Sequence, residues 1–379
     1  MSTAKKIGLT AGAIVILGIG GYALAKYDTG SYAHVLYEKT LKKSSKDDTQ
    51  VHRITDKSVK PTVKVDNKAE SPKSNSSGIE KALQEQNFTG AYAVIKNGQV
   101  SDSKTIGKGI ENGKLYQVAD LENTLTAAAI MKLVDSGKLS LSTPVSKFYN
   151  ESLEVNKNVT VKSLLNMTSG ITNNDVPNDQ LQAGDNILQW NLNHANAGTA
   201  STYNYQEINY VLLEGIISQV SGTSYQSYIN NNFLKPNNLN NIKFVSKVSD
   251  PELATPFNGN QKMTGGALAK AMNSQMGMNQ IMASPSDYLK LMQILVKSYG
   301  DKQGFTAVNA QDMTGQLESS ADGFEGSAGI QGYKTAVKIS KDGNSGIILM
   351  SNNSNGQTSD SNGLLETVRK VFITERNYN

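Results

Sequence analysis

The chain of 379 residues contains no cysteine, only three histidines and a single tryptophan. Without cysteine it forms no disulfide, no thiolate metal site and no cysteine nucleophile. His194 is the only histidine beyond residue 52, so a histidine-based catalytic triad or zinc site has almost no ligands to draw on. We therefore expect no metal and no cofactor.

Net positive charge is confined to the N-terminal fifth of the chain. The formal net charge is +4, but residues 34–78 alone carry ten Lys or Arg against six Asp or Glu, and residues 79–379 carry a net charge of −2. The basic segment is typical of a solvated spacer, or of a segment that lies near anionic lipid or teichoic-acid phosphate. The remainder gives no reason to expect nucleic-acid binding.

Long uncharged runs are also rare, and the clearest one lies at the N-terminus. Lys5 and Lys6 precede nineteen uncharged residues, 7–25, which as a helix would reach roughly 28 Å, close to the thickness of a bilayer core. The two lysines favour an outward-facing body. Because Ala23-Leu24-Ala25 also fits a signal-peptidase site, we expect either a membrane anchor over residues 1–30 or a secreted protein cleaved after Ala25.

The rest of the chain divides at about residue 78. Residues 31–78 read as a basic juxtamembrane segment followed by a Lys- and Ser-rich flexible linker, which has too few apolar side chains to fold alone. Residues 79–379 contain the folding signals and are expected to form one domain. We expect a monomer.

Hydrophobic periodicity predicts strands at both ends of this domain and helices between them. The predicted strands are residues 90–96, 333–340 and 344–351, with an Asn97-Gly98 turn after the first. The predicted helices are residues 79–87, 121–136, 160–168, 205–221, 285–299 and 362–373. The order indicates an α+β fold, in which both ends of the domain form an antiparallel sheet flanked by helices, with an inserted helical region.

Six segments follow one another in the order of a known family: residues 116–134, 161–170, 203–215, 283–289, 329–333 and 347–353. They resemble the serine β-lactamase and penicillin-binding-protein superfamily, in particular its class C-like esterases and D-Ala-peptidases. The resemblance covers residues 79–379, and it implies the β-lactamase/transpeptidase-like fold. The first segment resembles the helix that carries the family's catalytic serine.

The departures from the family concentrate on the chemical groups. Where the family has Ser-x-x-Lys, this sequence has Asp120 and Asn123, and where it has Tyr-x-Asn, it has Tyr205 and Glu207. The basic residue of the family's pocket strand is replaced by Gly326. Of the four groups that the family uses to activate serine and steer substrate, only the tyrosine remains.

Asp120 admits three interpretations. It caps the helix N-terminus in a disused site, it forms a carboxylate pair with Glu207 for acid–base or nucleophilic chemistry, or the two carboxylates bind a ligand such as a D-alanyl ammonium. An aspartate that attacked an ester would form an anhydride, with no group in view to resolve it.

Ligand-binding candidates are Asp120, Tyr205, Glu207, Ser327 and Gly329. Backbone N–H groups of residue 120 and of the strand that follows Gly326 would form an oxyanion-hole-like pair, which binds carbonyl or carboxylate groups without a nucleophile.

Other side chains that attract attention have ordinary explanations. Ser101 and Lys104 form a Ser-x-x-Lys string in a strand, where positions three apart point to opposite faces. Ser169 reads as structural, and Lys334 as a solvated lysine.

The sequence thus predicts a catalytically inactive cell-surface homologue that binds or senses D-alanylated teichoic acid, peptidoglycan or a wall-enzyme partner. The alternatives are an active D-Ala esterase or carboxypeptidase with a diverged nucleophile, and a partner-binding scaffold with an idle pocket.

Overall fold

The computed structural model describes residues 76–107, 110–149, 153, 157–173, 187–200, 202–263, 276–306, 316–330, 332–353 and 361–377. The predicted anchor, and the juxtamembrane segment and linker up to residue 75, lie outside the described residues. Ser76–Asn379 forms a compact unit of its own. Among the described residues, no helix combines the length and the apolar character that a membrane crossing requires.

The helices of the described part follow the chain in the order α1 to α9. They are α1 (Ser76–Glu85), α2 (Glu122–Asp135), α3 (Ser146–Tyr149), α4 (Val161–Leu165), α5 (Ile187–His194), α6 (Ile208–Ser221), α7 (Tyr225–Ile229), α8 (Pro285–Tyr299) and α9 (Ser361–Asn377). A 3₁₀ turn, Ala119–Leu121, leads directly into α2. Each of the six predicted helices is present, although several bounds differ, and α8 has the predicted bounds.

The strands form one large antiparallel sheet and two small ones. They are β1 (Gly90–Lys96), β2 (Gln99–Val100), β3 (Lys104–Ile106), β4 (Tyr116–Gln117), β5 (Ile242–Phe244), β6 (Phe257–Asn258), β7 (Gln261–Lys262), β8 (Ile281–Ala283), β9 (Glu318–Ser320), β10 (Gly323–Ile330), β11 (Tyr333–Ser340) and β12 (Gly346–Ser351). The large sheet has the order β2-β1-β12-β11-β10-β9, with β3 also paired to β1. The second sheet is β4-β8-β5.

The predicted closure of the sheet by both ends of the domain is confirmed. β1 pairs antiparallel with β12, with Ala91 opposite Met350, and β12 continues through β11 to β10. The two central strands β11 and β12 are buried along their whole length, because helices cover both faces. The fold is therefore the expected α+β arrangement of the β-lactamase/transpeptidase class.

The two faces of the sheet contact different sets of helices. On the inner face, Ala93, Val337 and Ile348 join a large core with the buried residues of α2, α6 and α8. On the outer face, Tyr92 and Ala336 join a smaller cluster beneath α1 and α9. Alternating residues along a strand thus belong to different cores, and this alternation decides which side chains of β10 approach α2.

Candidate functional site

A tight turn presents residue 120 at the start of α2. Ala119 has a φ of 52°, in the left-handed region that a residue with a Cβ rarely adopts. Its N–H donates to Oε1 of Gln117, and Gln117 Nε2 donates to the carbonyl of Asn279 at 2.6 Å. The buried Gln117 amide therefore fastens this turn to the segment before β8.

The Asp120 side chain is partly buried and bound by side chains from two distant parts of the chain. The hydroxyl of Tyr205 donates to its Oδ2 at 2.9 Å, and the side chain of Asn279 supplies a second hydrogen bond. The prediction that Asp120 caps the helix is wrong. The turn is already helical through Leu121, which stands at the cap position of α2, and no side chain caps the helix there.

The loop before α6 brings Tyr205 and Glu207 to Asp120. Its shape is fixed by Asn209, whose Nδ2 donates to the carbonyl of Gln206 at 2.8 Å. Asn209 Oδ1 in turn accepts from the buried hydroxyl of Ser169 at 2.6 Å. Ser169 therefore has the structural role that the sequence predicts.

Desolvation has the largest effect on the pKa values of the ionisable groups around Asp120. Withdrawal from water raises the pKa of Asp120, and the hydrogen bonds from Tyr205 and Asn279 counter this only in part. Desolvation, together with the charge of Asp120, raises the pKa of Glu207 to about 6, although Glu207 is an exposed residue. Desolvation and both carboxylates raise the pKa of Tyr205, which stays a neutral donor.

The two positions at which the resemblance predicts the family's basic groups, Asn123 and Gly326, are buried. Asn123, which replaces the lysine, is fully buried and offers a neutral amide that cannot accept a serine's proton. Gly326, which replaces the basic strand residue, lies against the turn: a Cβ built on it would stand 3.0 Å from Cδ2 of Leu121. Phe324, two residues earlier in β10, does not fill this space either, because its ring packs against Gly300 near the end of α8.

Ser327 does not face Asp120, which corrects its prediction as a pocket side chain. It pairs with Ala336, a member of the outer cluster beneath α9, whereas its neighbour Ala328 belongs to the inner core. Gly329 pairs with Lys334, and a Cβ at Gly329 would also meet that lysine. Only the backbone of this strand edge is therefore placed to contact a ligand.

A pair of buried glutamates beneath the turn was missed by sequence reasoning. Glu122 Oε2 accepts from the N–H of Gln280 at 2.6 Å, and Glu214 Oε2 accepts from Nε2 of the same Gln280 at 2.7 Å. Burial raises the pKa of Glu122 to about 8 and that of Glu214 to about 7. The pair holds the segment that carries Asn279 to Asp120.

A signal for Glu214 was present in the sequence. It is the one charged residue in the otherwise uncharged run Ile208–Ile217, and a charge inside such a run is expensive to bury unless it has partners. Glu122 had no comparable signal, because it stands in a mixed stretch between Asp120 and Asn123.

The remaining candidates lie away from Asp120. Ser101 Oγ accepts from the N–H of Val94 at 3.1 Å, and Lys104 lies 3.8 Å from Glu80, so the Ser-x-x-Lys string is structural. His194 stacks on Trp190 with ring centroids 4.1 Å apart. Lys334 is 5% exposed, which corrects its prediction as a solvated lysine. The described residues contain no group of three acidic or histidine side chains placed to hold a metal.

Comparison with known proteins supports the fold described above. The β-lactamase family model matches residues 77–366. The chain is 27% identical over 289 residues to "Putative penicillin-binding protein PbpX" of Bacillus subtilis strain 168, covering 72% of this chain and 73% of that protein. It is 32% identical over 187 residues to "Protein flp" of Staphylococcus aureus, covering 44% of this chain but only 37% of flp.

Solved structures show the same fold at low sequence identity. FmtA from Staphylococcus aureus superposes with a TM-score of 0.63 at 19% identity, covering 79% of this chain and 88% of FmtA. The D-amino acid amidase from Ochrobactrum anthropi SV3 superposes with a TM-score of 0.65 at 16% identity, covering 80% of this chain and 99% of the amidase.

Proposed function

Because this chain belongs to the β-lactamase family, we propose that it is a cell-surface member that lacks serine acyl transfer and binds amine-bearing cell-wall material. The observation that carries the proposal is the environment of Asp120. A carboxylate stands where the family has its nucleophile, it accepts from Tyr205 at 2.9 Å, and within the described residues no basic side chain is among the groups that shift its pKa.

This site lacks the side chains that serine acyl transfer requires. Serine catalysis needs a hydroxyl and a neighbouring base, and the two positions are occupied by Asp120 and the buried amide of Asn123. Attack by Asp120 on an ester would expel the alcohol and leave an anhydride on the protein. The base that the sequence places beside Asp120 is Glu207, which carries a negative charge as Asp120 does and interacts with it unfavourably.

An ammonium group fits the same environment well. Asp120 and Glu207 are close enough that the charge of one raises the pKa of the other, so a cation between them would relieve their repulsion. An ammonium has three donors and no acceptor, and two carboxylates can receive them in charge-assisted hydrogen bonds. The D-alanyl ester of teichoic acid carries such an ammonium, and the backbone edge of β10 beyond Glu325 lies close by to meet its carbonyl.

The test is the binding of D-alanine methyl ester to the full-length protein, measured by calorimetry between pH 5 and 7. Binding should strengthen as the pH rises through about 6, because Glu207 must lose its proton to attract a cation. Asp120→Asn and Glu207→Gln should each weaken binding about tenfold or more. Asp102→Asn removes an exposed carboxylate elsewhere and serves as the matched control.

A fluorescent penicillin and a fluorophosphonate probe distinguish this proposal from an active hydrolase. Intact-mass measurement should find the protein unmodified after exposure to either probe. A stable adduct would show that a relocated nucleophile works in this chain, and the proposal would fail. If the Asp120 and Glu207 variants bind the amine as tightly as the unaltered protein does, the result would instead favour a partner-binding scaffold whose pocket has no ligand.

We also propose that the folded domain lies on the outer side of the cell membrane. It is supported by the two lysines and the uncharged run at residues 7–25. Protease added to intact cells should digest the domain, whereas an internal domain would survive until the cells are lysed.

A further inference from the structure

Two glutamates are buried beneath the turn that presents Asp120, and the function proposed above uses neither of them. Glu122, the first residue of α2, is fully buried, and Glu214 in α6 is 8% exposed. A charge withdrawn from water needs a partner of opposite charge. Within the described residues, no cation is among the groups that act on either carboxyl. The two side chains can therefore lower their charge only by binding protons.

The hydrogen bonds around Glu122 require a proton on its carboxyl group. Thr126 Oγ1 lies 3.0 Å from the carbonyl oxygen of Gly277 and 2.7 Å from the hydroxyl of Tyr225. That hydroxyl lies 3.2 Å from Glu122 Oε1. A carbonyl only accepts, so Thr126 gives its single hydroxyl proton to Gly277. Tyr225 must then donate to Thr126, and Glu122 must supply the proton of the last bond.

The other end of this chain of bonds lies in the segment that carries Asn279. Glu214 Oε2 accepts from the N–H of Gly277 and, at 2.7 Å, from Nε2 of Gln280. Glu122 Oε2 accepts from the N–H of Gln280 at 2.6 Å. The two residues that flank positions 278 and 279 are thus held by the two carboxyl groups, and the placement of Asn279 depends on them.

Loss of the proton would weaken this arrangement in two ways. With Glu122 ionised, two hydroxyl protons, of Thr126 and Tyr225, remain for three hydrogen bonds, so one bond of the chain that ends at Gly277 is lost. In addition, Glu122 and Glu214 would both be charged in a site from which water is excluded, and like charges there disfavour each other strongly.

The other titratable groups that face the pair are tyrosines from three helices. They are Tyr149 in α3, Tyr225 in α7 and Tyr288 in α8. Burial, and after it the charge of one or both glutamates, raises the pKa of each phenol. The tyrosines therefore stay neutral near neutral pH, where Glu122 and Glu214 change charge.

We propose that the buried pair is a proton-controlled switch for residues 277–281, with Glu122 as the residue whose proton closes it. With the proton bound, the segment holds the Asn279 side chain on Asp120, and without it the segment opens more often. Burial raises the pKa of Glu122 to about 8 and that of Glu214 to about 7, above their values in water. The hold on the segment therefore weakens as the pH rises and is weakest above about 8.

The effect of the switch on a ligand rests on the proposed function, because Asn279 then gives up a hydrogen bond to Asp120. The opening of the segment does not rest on it. A measurement on the free protein therefore tests the switch separately, and a failure of amine binding would leave its result unchanged.

The experiment is amide hydrogen exchange, followed by mass spectrometry, on the full-length protein in detergent without ligand. Rates are measured from pH 6 to 9 and corrected for the intrinsic pH dependence of exchange. Protection of residues 277–284 should fall about tenfold or more between pH 6 and 8 and then level off, since one pKa unit is a factor of ten. The central strand β12 serves as the internal reference and should change less.

Two variants test the proton itself. Glu122→Gln combined with Glu214→Gln should keep the protection of the segment constant from pH 6 to 9, because an amide donates and accepts without titrating. Thr126→Val frees the Tyr225 hydroxyl to donate to ionised Glu122, so protection should level off at a pH about one unit lower. Glu85→Gln, which alters an exposed glutamate of α1, is the matched control and should behave as the unaltered protein.

Three results would each overturn the proposal. The first is equal protection of residues 277–284 at pH 6 and pH 8 in the unaltered protein. The second is a double glutamine variant that loses protection as the unaltered protein does. The third is a Thr126→Val variant that levels off at the same or a higher pH, and this result is informative even if the double variant does not fold.

Discussion

Glu325, in β10, and Asp120, in the turn before α2, are acidic side chains that differ in the charge of their partners. Glu325, on the outer face, accepts from Lys338 Nζ at 2.6 Å and from Nε of Arg369 at 3.0 Å. Burial works against its charge, but the two cations hold its pKa below the usual range. Asp120 has only neutral donors, and its pKa is raised.

The difference distinguishes a carboxylate that stabilises the fold through ion pairs from one that has no cationic partner and could bind a cation. Glu325 is built into an ion-pair network whose charges cancel within the protein. Asp120 and Glu207 have no cation among the groups that act on them in the described structure, so their charge is compensated only by a ligand or by protons. Four predictions follow this contrast, from the largest expected effect to the smallest.

Removing Glu325 should destabilise the domain strongly. Glu325→Ala leaves Lys338, which is 4% exposed, with Asp322 at 2.9 Å as its remaining acidic partner. Loss of one partner of a buried pair typically costs 3–5 kcal/mol, and we expect about 3 kcal/mol in the free energy of unfolding measured with urea. Glu366→Ala, which removes an exposed partner of Arg369, should change it by less than about 0.5 kcal/mol. Equal effects of the two variants would refute the contrast.

Stability should fall as the pH rises from about 5 to 8. The pKa values of Glu122 and Glu214 are raised to about 8 and about 7 in the folded protein, so the folded state binds more protons than the unfolded chain in this window. Each pKa unit corresponds to about 1.4 kcal/mol, and we expect a loss of at least about 2 kcal/mol by urea denaturation. A stability that rises over this range would mean that the pair is ionised throughout.

Asp120→Asn should stabilise the domain by about 1 kcal/mol at pH 8 while it weakens amine binding about tenfold or more. The variant removes a desolvated charge but keeps an acceptor for Tyr205. Tyr205→Phe should act in the opposite direction, because it removes one of the two donors to the carboxylate. Thermal unfolding of both variants checks this, and a destabilised Asp120→Asn would argue for a structural role like that of Glu325.

Ser327→Ala should change neither stability nor amine binding measurably, with less than about 0.5 kcal/mol in unfolding free energy. Its hydroxyl shares the outer face with Ala336, away from Asp120. Weakened amine binding in this variant would place the ligand across the sheet edge rather than in front of Asp120.

Sequence reasoning predicted the framework well for a physical reason. Strands β1 and β11 have the predicted bounds because their apolar and β-branched runs end at Asn-Gly and Lys-Asp-Gly turns. Helix α8 does so because Ser284 caps it and Pro285 follows at its first position. These signals are local, so one stretch of sequence contains them completely.

The site depended on contacts that no local pattern contains. Asn279 reaches Asp120 from a segment more than 150 positions away, and it is held there by Gln280 between Glu122 and Glu214. The side of the sheet on which the Ser327 side chain lies depends on the register of β10 against β11, because a shift of the register by one residue moves every side chain to the other side. The motif comparison predicted that Tyr205 and Glu207 lie near Asp120, but it contained no signal for Asn279 or for the buried glutamates behind it.

The left-handed turn at Ala119 has a consequence for engineering. A residue with a Cβ pays about 1 kcal/mol or more for that conformation, and Gln117 holds it in place from outside the turn. The backbone thus fixes the direction of whatever side chain stands at position 120, independently of its identity. A serine, a cysteine or an unnatural amino acid introduced there would be presented at the same spot, which makes this domain a ready host for a designed reactive group.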